Sequence, residues 1–184
     1  QGKWVEARAK SDFAAFKPWL QKVIDLKKQE AEAVGYKDDP YNAMLDSYEP
    51  GATVASIEKI FTPLRVELVA LLDKIRGSGR SPDVGIITRD YPVDRQEKFG
   101  KEAAAAIGFD FTEGRLDITT HPFCSGIGPG DVRITTRYDA HHFPGAFFGI
   151  LHEAGHGIYD QGLDPKHFGT PMGEMISLGI HESQ

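Results

Sequence analysis

Residues 149–159 read GILHEAGHGIY, and the interpretation of the whole chain follows from this stretch. On a helix, His152 and His156 lie one turn apart on the same face, so both imidazoles can reach one metal ion. Glu153 lies beside that face, where its carboxylate can hold and deprotonate a water molecule without occupying a coordination position. The segment before the motif is apolar, and Pro144 is a suitable helix-starting residue, so the motif is expected in a buried helix. The stretch therefore predicts a catalytic metal site with Glu153 as general base.

A catalytic zinc site of this type has a third protein ligand, which we expect downstream of the His pair. Two carboxylates are candidates, Glu174 and Glu182, and the pattern places both on one predicted helix near the end of the chain. Residue type and spacing alone do not choose between them.

Three further motifs accompany the His-Glu-x-x-His pattern. They are HPF at 121–123, DVRITT at 131–136 and HESQ at 181–184. Taken in this order, the four motifs resemble those of the thermostable (Taq-type) metallocarboxypeptidases, peptidase family M32, over nearly the whole chain. The resemblance implies a zincin-like metallopeptidase of which this chain is an internal fragment, and it assigns the third ligand to Glu182 rather than Glu174.

The same resemblance implies an activity and its requirements. The implied enzyme is a metallocarboxypeptidase that binds Zn²⁺, or Co²⁺ in its place, and releases C-terminal amino acids from peptides with a free C-terminus. It also implies a homodimer. An arginine that recognises the substrate carboxylate is expected beyond the end of this chain. Two rival functions remain: a zinc endopeptidase or oligopeptidase with the same ligands, and a catalytically inactive metal-binding fragment.

Four residues of the accompanying motifs are candidates for substrate binding: His121, Arg133, Thr135 and His181. We expect the strand that carries Arg133 and Thr135 to form a sheet edge, to which an extended peptide could add through backbone hydrogen bonds. The structural alternatives are an ion pair between Arg133 and a nearby aspartate and a His121 satisfied at a strand end. Cys124 lacks an oriented base and is not expected to act as a nucleophile.

Composition excludes several classes of partner. A net charge of −6 and a pI near 5.6 argue against nucleic-acid binding, which needs a basic face. Cys124 is the only cysteine, which excludes an intramolecular disulfide and is typical of a reducing cytoplasm. No apolar run approaches the length of a membrane span, so we expect a cytoplasmic protein without a membrane partner.

Periodicity predicts a mainly α protein with a small antiparallel β-sheet, an α+β fold. Helices are expected over 3–34 with an interruption at Pro18, from Thr53 to 76, and over 93–107, and an apolar stripe of each of the first two is expected to be buried. Strands are expected over 115–120 and 131–138, separated by a loop. The chain is interpreted as one partial catalytic domain, 1–184: helical over 1–110, the small sheet with the HPF and DVRITT motifs over 111–140, and the metal-binding and third-ligand helices over 141–184.

Overall fold

The structure is a computed structural model that describes residues 2–183. Gln1 and Gln184, the last residue of the HESQ motif, lie outside the described residues. By internal packing the chain divides into two units, residues 1–80 and 81–184. The assignment of 1–184 to one partial catalytic domain stays a prediction.

The first unit is helical between residues 2 and 80. Its helices are α1 (Gly2–Ala9), α2 (Phe13–Val34), α3 (Tyr41–Leu45) and α4 (Val54–Gly77). The predicted interruption of the first long helix exists but falls between α1 and α2, not at Pro18, which lies within α2. Asp12 begins α2 by accepting a hydrogen bond of 3.0 Å from the backbone N–H of Ala15. The Asp12 cap fixes the start of the helix. Pro18 lies near the first turns of α2, where a proline disrupts a helix less than the cap stabilises its start.

Helix α4 starts at Thr53, as predicted, and the structure shows a capping box there. Thr53 accepts a hydrogen bond of 3.1 Å from the backbone N–H of Ser56, and the hydroxyl of Ser56 accepts one of 2.9 Å from the backbone N–H of Thr53. Two N–H groups without helical partners are thereby satisfied.

The apolar stripes of α2 and α4 are exposed, contrary to the prediction. Leu68 and Ile75 of α4 are 54% and 56% exposed, and Phe13 of α2 is 63% exposed. None of the residues of α4 is buried. Periodicity identifies residues that share a helix face, but burial also requires another element to cover that face.

The second unit carries the sheet and the predicted metal site. Its helices are α5 (Gly85–Thr88), α6 (Val93–Ala106), α7 (Phe143–Gln161) and α8 (Leu178–Glu182), and its strands are β1 (Gly114–Ile118), β2 (Cys124–Gly128) and β3 (Asp131–Thr136). Two 3₁₀ turns, Pro165–His167 and Pro171–Gly173, connect α7 to α8. The fold class, mainly helical with a small sheet, is confirmed.

The sheet is mixed, with strand order β1-β3-β2. β1 and β3 are parallel, with Leu116 beside Ile134, so the expectation of an antiparallel pair is wrong for these two strands. β2, which the sequence analysis treated as a loop, pairs antiparallel with β3 and has an irregularity between Gly126 and Gly128. The expectation that β3 is an edge strand is therefore also wrong, because β2 covers that side. The glycines of β2 obscured its strand pattern.

The core of this unit lies between the sheet and α7. Ile134 of β3 and Ile150 of α7 are 0% and 1% exposed. Gly157 of α7 lets the ring of Phe109 approach the helix backbone, because a Cβ there would come within 2.5 Å of that ring. α7 is therefore held against the strands and presents its His-Glu-x-x-His segment at a defined position.

None of the helices between residues 2 and 183 combines the length and apolar composition that a membrane span requires.

Candidate metal centre

Helix α7 supplies two histidines and a glutamate to the centre. Pro144 lies in the first turn of the helix, as expected, because its missing N–H has no helical partner there. One turn apart, the Nε2 atoms of His152 and His156 are separated by 3.2 Å. The side chain of His156 is 7% exposed and that of His152 is 45% exposed, so the pair extends from the interior to the surface of the cleft.

The third group of the centre comes from α8. Oε2 of Glu182 lies 3.6 Å from Nε2 of His152 and 3.7 Å from Nε2 of His156. All three donor atoms lie within 4.8 Å of one another. Two imidazole nitrogens and one carboxylate oxygen that converge in this way can hold a divalent ion and leave a position open on it.

Glu174, the competing candidate, is not part of this cluster. It follows the 3₁₀ turn Pro171–Gly173, whereas α8 begins only after Ser177, so the expectation that Glu174 and Glu182 share one helix is wrong. Ser177 caps α8 by accepting a hydrogen bond of 3.1 Å from the N–H of Ile180. The cap separates the two glutamates into different elements.

Glu153 is buried beside the two histidines. It is 6% exposed, and burial raises the pKa of its carboxyl group above the ordinary value. Burial also lowers the pKa of His156, which favours the neutral imidazole that a metal ion requires. A carboxyl group with a raised pKa next to the neutral imidazole of His156 is suited to accepting a proton near neutral pH.

These groups share one cleft of about 580 Å³ in the second unit. Its lining includes the three donor residues together with His121, Glu153, Asp160, Glu174 and His181. The cleft therefore gathers side chains from α7, α8 and the segment before β2 around the candidate ion position.

The model of the carboxypeptidase Taq (M32) metallopeptidases matches residues 1–184. The chain belongs to this family. Thermostable carboxypeptidase 1 of Thermus thermophilus is 47% identical over 190 residues, which cover 98% of this chain and 37% of the relative. Carboxypeptidase 1 of Bacillus subtilis is 42% identical over 181 residues, which cover 98% of this chain and 36% of the relative.

A solved structure agrees with this relationship. The M32 carboxypeptidase of Deinococcus radiodurans R1 matches 100% of this chain and 37% of its own length, with a TM-score of 0.85 and 38% sequence identity. The chain thus spans little more than a third of the length of the M32 relatives it matches. Membership of a metallopeptidase family implies a metal cofactor.

The donor set fits such an ion. Ligand atoms bound tetrahedrally at about 2.0–2.2 Å lie about 3.3–3.6 Å from one another. The three separations here are 3.2, 3.6 and 3.7 Å. If the Nε2 atoms of His152 and His156 both carried lone pairs directed at each other, they would repel unless a proton or a cation lay between them. His152, His156 and Glu182 are therefore the residues of this M32 chain that would hold the metal.

His121 and His181, two of the candidates for substrate binding, both line the cleft. His121 places Nδ1 within 2.6 Å of the carbonyl oxygen of Pro122. The Nε2–H of His181 donates to Oδ1 of Asp160 at 3.1 Å, and its ring stacks on that of His156 with centroids 4.5 Å apart. The partner of Asp160 in the structure is thus His181 rather than a candidate ligating histidine.

Arg133 and Thr135 are not among the described residues that line the cleft. Arg133 makes two hydrogen bonds of 2.8 Å to the carboxylate of Asp131, the ion-pair alternative considered above. Thr135 is 6% exposed, and its hydroxyl accepts from the backbone N–H of Phe123 at 2.8 Å and donates to the carbonyl of Phe123 at 3.1 Å. Both side chains have structural partners here, and their roles in substrate binding stay predictions.

Cys124 has the properties of an inert thiol. Burial, followed by the negative charges of Asp160 and Glu153, raises its pKa to about 12. A thiol of this pKa is almost entirely protonated at neutral pH and is a poor nucleophile. This agrees with the sequence analysis, which assigned the chemistry to Glu153 instead.

Tyr159 is a residue of the centre that the sequence analysis did not identify. Its hydroxyl accepts a hydrogen bond of 3.1 Å from the backbone N–H of Ile176, just before α8. It also lies with its ring edge against His181, at a centroid distance of 5.2 Å. The sequence pattern around a tyrosine at the end of an apolar helix does not predict such a contact. The contact depends on the path of the segment that follows α7.

Proposed function

We propose that the protein is a zinc-dependent metallocarboxypeptidase that releases C-terminal amino acids from peptides, and that this chain carries its metal centre and general base. The observation that carries the proposal is the convergence of His152, His156 and Glu182 within 4.8 Å, in a cleft that also contains the buried Glu153. Membership of the M32 family supports the same reaction class. Zinc is preferred because two imidazoles and one carboxylate with an open position are its usual catalytic ligand set, and cobalt is the expected substitute.

The proposed role of each side chain follows from its burial and from its position relative to the donor cluster. His152, His156 and Glu182 would hold a divalent ion, which would supply the Lewis acidity that polarises a carbonyl and acidifies water. Glu153 accepts the proton of the attacking water and passes it to the leaving amine, because its carboxylate lies in the same cleft but outside the donor cluster. His121, which also lines the cleft, is the proposed donor to the carbonyl oxygen of the substrate.

The outer edge of β2 is the proposed place for the peptide backbone of the substrate. The N–H of Thr135 in β3 donates to the carbonyl of Phe123 at 2.9 Å. Because hydrogen-bonded pairs alternate along an antiparallel ladder, Cys124 and Gly126 then direct their backbone groups away from β3. Among residues 2–183, no strand pairs with that edge. An extended peptide can add there, next to the metal centre.

The test compares metal content and peptide hydrolysis in the wild-type chain and in Glu153→Gln. We expect the variant to retain one metal ion per chain and to lose hydrolysis by at least about a hundredfold, the usual size of a general-base contribution. Normal hydrolysis by Glu153→Gln would contradict the assignment. If the wild-type chain binds metal but hydrolyses no peptide, it is the inactive metal-binding fragment named above as an alternative. That outcome has to be tested because the chain spans only 37% of the length of its relative.

Substrate blocking separates the carboxypeptidase from the endopeptidase alternative. A peptide and its C-terminal amide are incubated with the active protein, and the products are identified by mass. A carboxypeptidase releases the last residue of the free peptide and leaves the amide largely uncut. Equal cleavage of both would favour an endopeptidase.

We also propose that the protein is a homodimer and that it is cytoplasmic and binds neither nucleic acid nor membrane; the net charge of −6 argues against nucleic-acid binding. Light scattering on the purified protein tests the dimer.

A further inference from the structure

The last turn of α7 holds the segment that carries Glu182. Two side chains make the connection: Tyr159 accepts from the N–H of Ile176 at 3.1 Å, and Asp160 accepts from His181 at 3.1 Å. Asp160 lies four residues after His156 and eight after His152, so it continues the same helix face by one further turn. The metal-binding face and the connection to α8 are thus parts of one stripe.

The Asp160–His181 pair fixes an imidazole against the metal site. A carboxylate can only accept, so Nε2 of His181 carries the proton in this hydrogen bond. The two side chains are 21% and 15% exposed, so the hydrogen bond is largely shielded from water. The ring of His181 lies nearly parallel to that of His156, at an interplanar angle of 20°. Any rotation of His181 would therefore disturb the face of a candidate ligand.

The second oxygen of Asp160 is confined by β2. A Cβ added at Gly126 would lie 2.8 Å from Oδ2 of Asp160, so the strand backbone approaches this carboxylate closely. One carboxyl group is thereby placed among α7, α8 and β2, each of which contributes residues to the lining of the cleft. Its position is defined from both sides.

Helix α8 depends on such connections because it is short. It has five residues, and none of them is buried. A single helical turn is not stable by itself, so the place of Glu182 is set by contacts with other elements. His181 precedes Glu182 directly and makes the shortest polar contact of this turn with α7 among the described residues, the hydrogen bond to Asp160.

We propose that Asp160 is a positioning residue, which through His181 sets the orientation of the His156 ring and the place of Glu182, and thereby the affinity of the centre for its metal. The inference rests on the metal ligands of the proposed function. Groups that orient metal ligands from outside the coordination shell typically contribute about 10- to 100-fold to metal affinity.

The experiment measures the Kd for Co²⁺ and Zn²⁺ by titration of the metal-free 184-residue chain, with the visible absorption of bound Co²⁺ as reporter. The variants are Asp160→Ala, Asp160→Asn, His181→Ala and the double variant Asp160→Ala/His181→Ala. Glu174→Gln is the matched control, because it removes one negative charge from the same cleft, and among the described residues Glu174 forms no hydrogen bond or ion pair with His181. Thermal unfolding of each metal-free variant measures any purely structural effect.

We expect Asp160→Ala to raise the Kd about tenfold and to alter the Co²⁺ spectrum at saturation, and Asp160→Asn, which keeps an acceptor oxygen, to lose less. The double variant should bind no more weakly than His181→Ala, because both changes remove the same connection. Glu174→Gln should leave the Kd within about twofold of wild type.

Three results would overturn the inference: an unchanged Kd and spectrum in Asp160→Ala, an equal loss in Glu174→Gln, or additive losses in the double variant. A lower unfolding temperature with unchanged metal binding would also assign Asp160 a structural role only. If the wild-type chain binds no Co²⁺ or Zn²⁺, the proposed metal centre fails and this inference fails with it. If the wild-type chain binds the metal and the Asp160 variants bind it with the same Kd, the proposed function stands and this inference fails.

Discussion

Gly157 lies directly against the ring of Phe109, so that a Cβ at position 157 would come within 2.5 Å of Cε2 of that ring and 3.3 Å of Cγ2 of Ile134. The helix that bears the candidate metal ligands can approach the sheet only because this position has no side chain. The residue after His156 is therefore constrained by packing rather than by chemistry.

Gly157→Ala should destabilise the protein by about 1–3 kcal/mol, the usual cost of overpacking a core. Urea unfolding followed by circular dichroism measures the change. Gly149→Ala in the same helix is the control, because a Cβ there meets only Oγ1 of Thr136 at 3.7 Å. The gain in helix propensity should stabilise that variant by up to about 1 kcal/mol. Equal stability of the two variants would show that Phe109 relaxes at no cost.

Glu182→Gln should lose metal affinity, whereas Glu174→Gln should retain it. Among the carboxylates of residues 2–183, only that of Glu182 lies with His152 and His156 in the donor cluster. An amide oxygen is a weaker ligand than a carboxylate, so a loss of at least about tenfold is expected. Metal analysis after dialysis and Co²⁺ titration provide the measurement. Retention of metal by Glu182→Gln together with loss by Glu174→Gln would reverse the assignment of the third ligand.

Gly126→Ala should displace the carboxylate of Asp160, because the new Cβ would lie 2.8 Å from Oδ2. A weaker metal affinity, by a few-fold to about tenfold, is expected if Asp160 positions the centre. Gly128→Ala in the same strand is the matched control, since its Cβ would meet the ring of Phe168 at an ordinary 3.4 Å. Identical Co²⁺ titrations for the two variants would argue against the connection.

Cys124 should react slowly with iodoacetamide in the folded protein. Its pKa of about 12 leaves roughly one thiol in ten thousand ionised near pH 8, against about a quarter of the molecules for an ordinary cysteine. Alkylation followed by mass spectrometry should therefore be at least about a hundredfold slower than in concentrated urea. Comparable rates in the two conditions would show that the thiol is neither buried nor electrostatically suppressed.

Thr53→Ala should destabilise α4 by about 1 kcal/mol, because it removes the hydroxyl that caps the helix start. Thr62→Ala, at an exposed position within the same helix, should have no such cost. Helix content and the free energy of unfolding in urea are measured for both variants. The comparison separates the loss of the capping hydrogen bond from the effect of replacing a threonine side chain by alanine. A cost at Thr62 as large as at Thr53 would exclude capping as the cause.

Local chemistry explains which elements were predictable. The start of α4 at Thr53, the helix over 93–107 and the helix after Pro144 each depend on caps, breakers and periodicity within a few residues. The pairing of His152 with His156 depends only on helix geometry. For these features the sequence was sufficient.

Features that join distant segments were not predictable in this way. Neither the parallel pairing of β1 with β3 nor the central place of β3 has a local signal, since periodicity does not state which strand lies beside which. The exposed stripe of α4 is similar, because coverage of an apolar face depends on its neighbours. The choice of Glu182 over Glu174 came from the resemblance, and residue spacing alone left it open.

The sequence alone predicted the candidate ligand types, the candidate general base and the helix that presents them, because these predictions depend on residue identity and on contacts within one or two turns. Tertiary structure alone placed Glu182 beside the two histidines, turned Asp160 toward His181 and put β2 at the edge of the sheet. Those arrangements depend on where the chain returns after a turn, and that is determined by packing of the whole unit around residues such as Ile134 and Ile150.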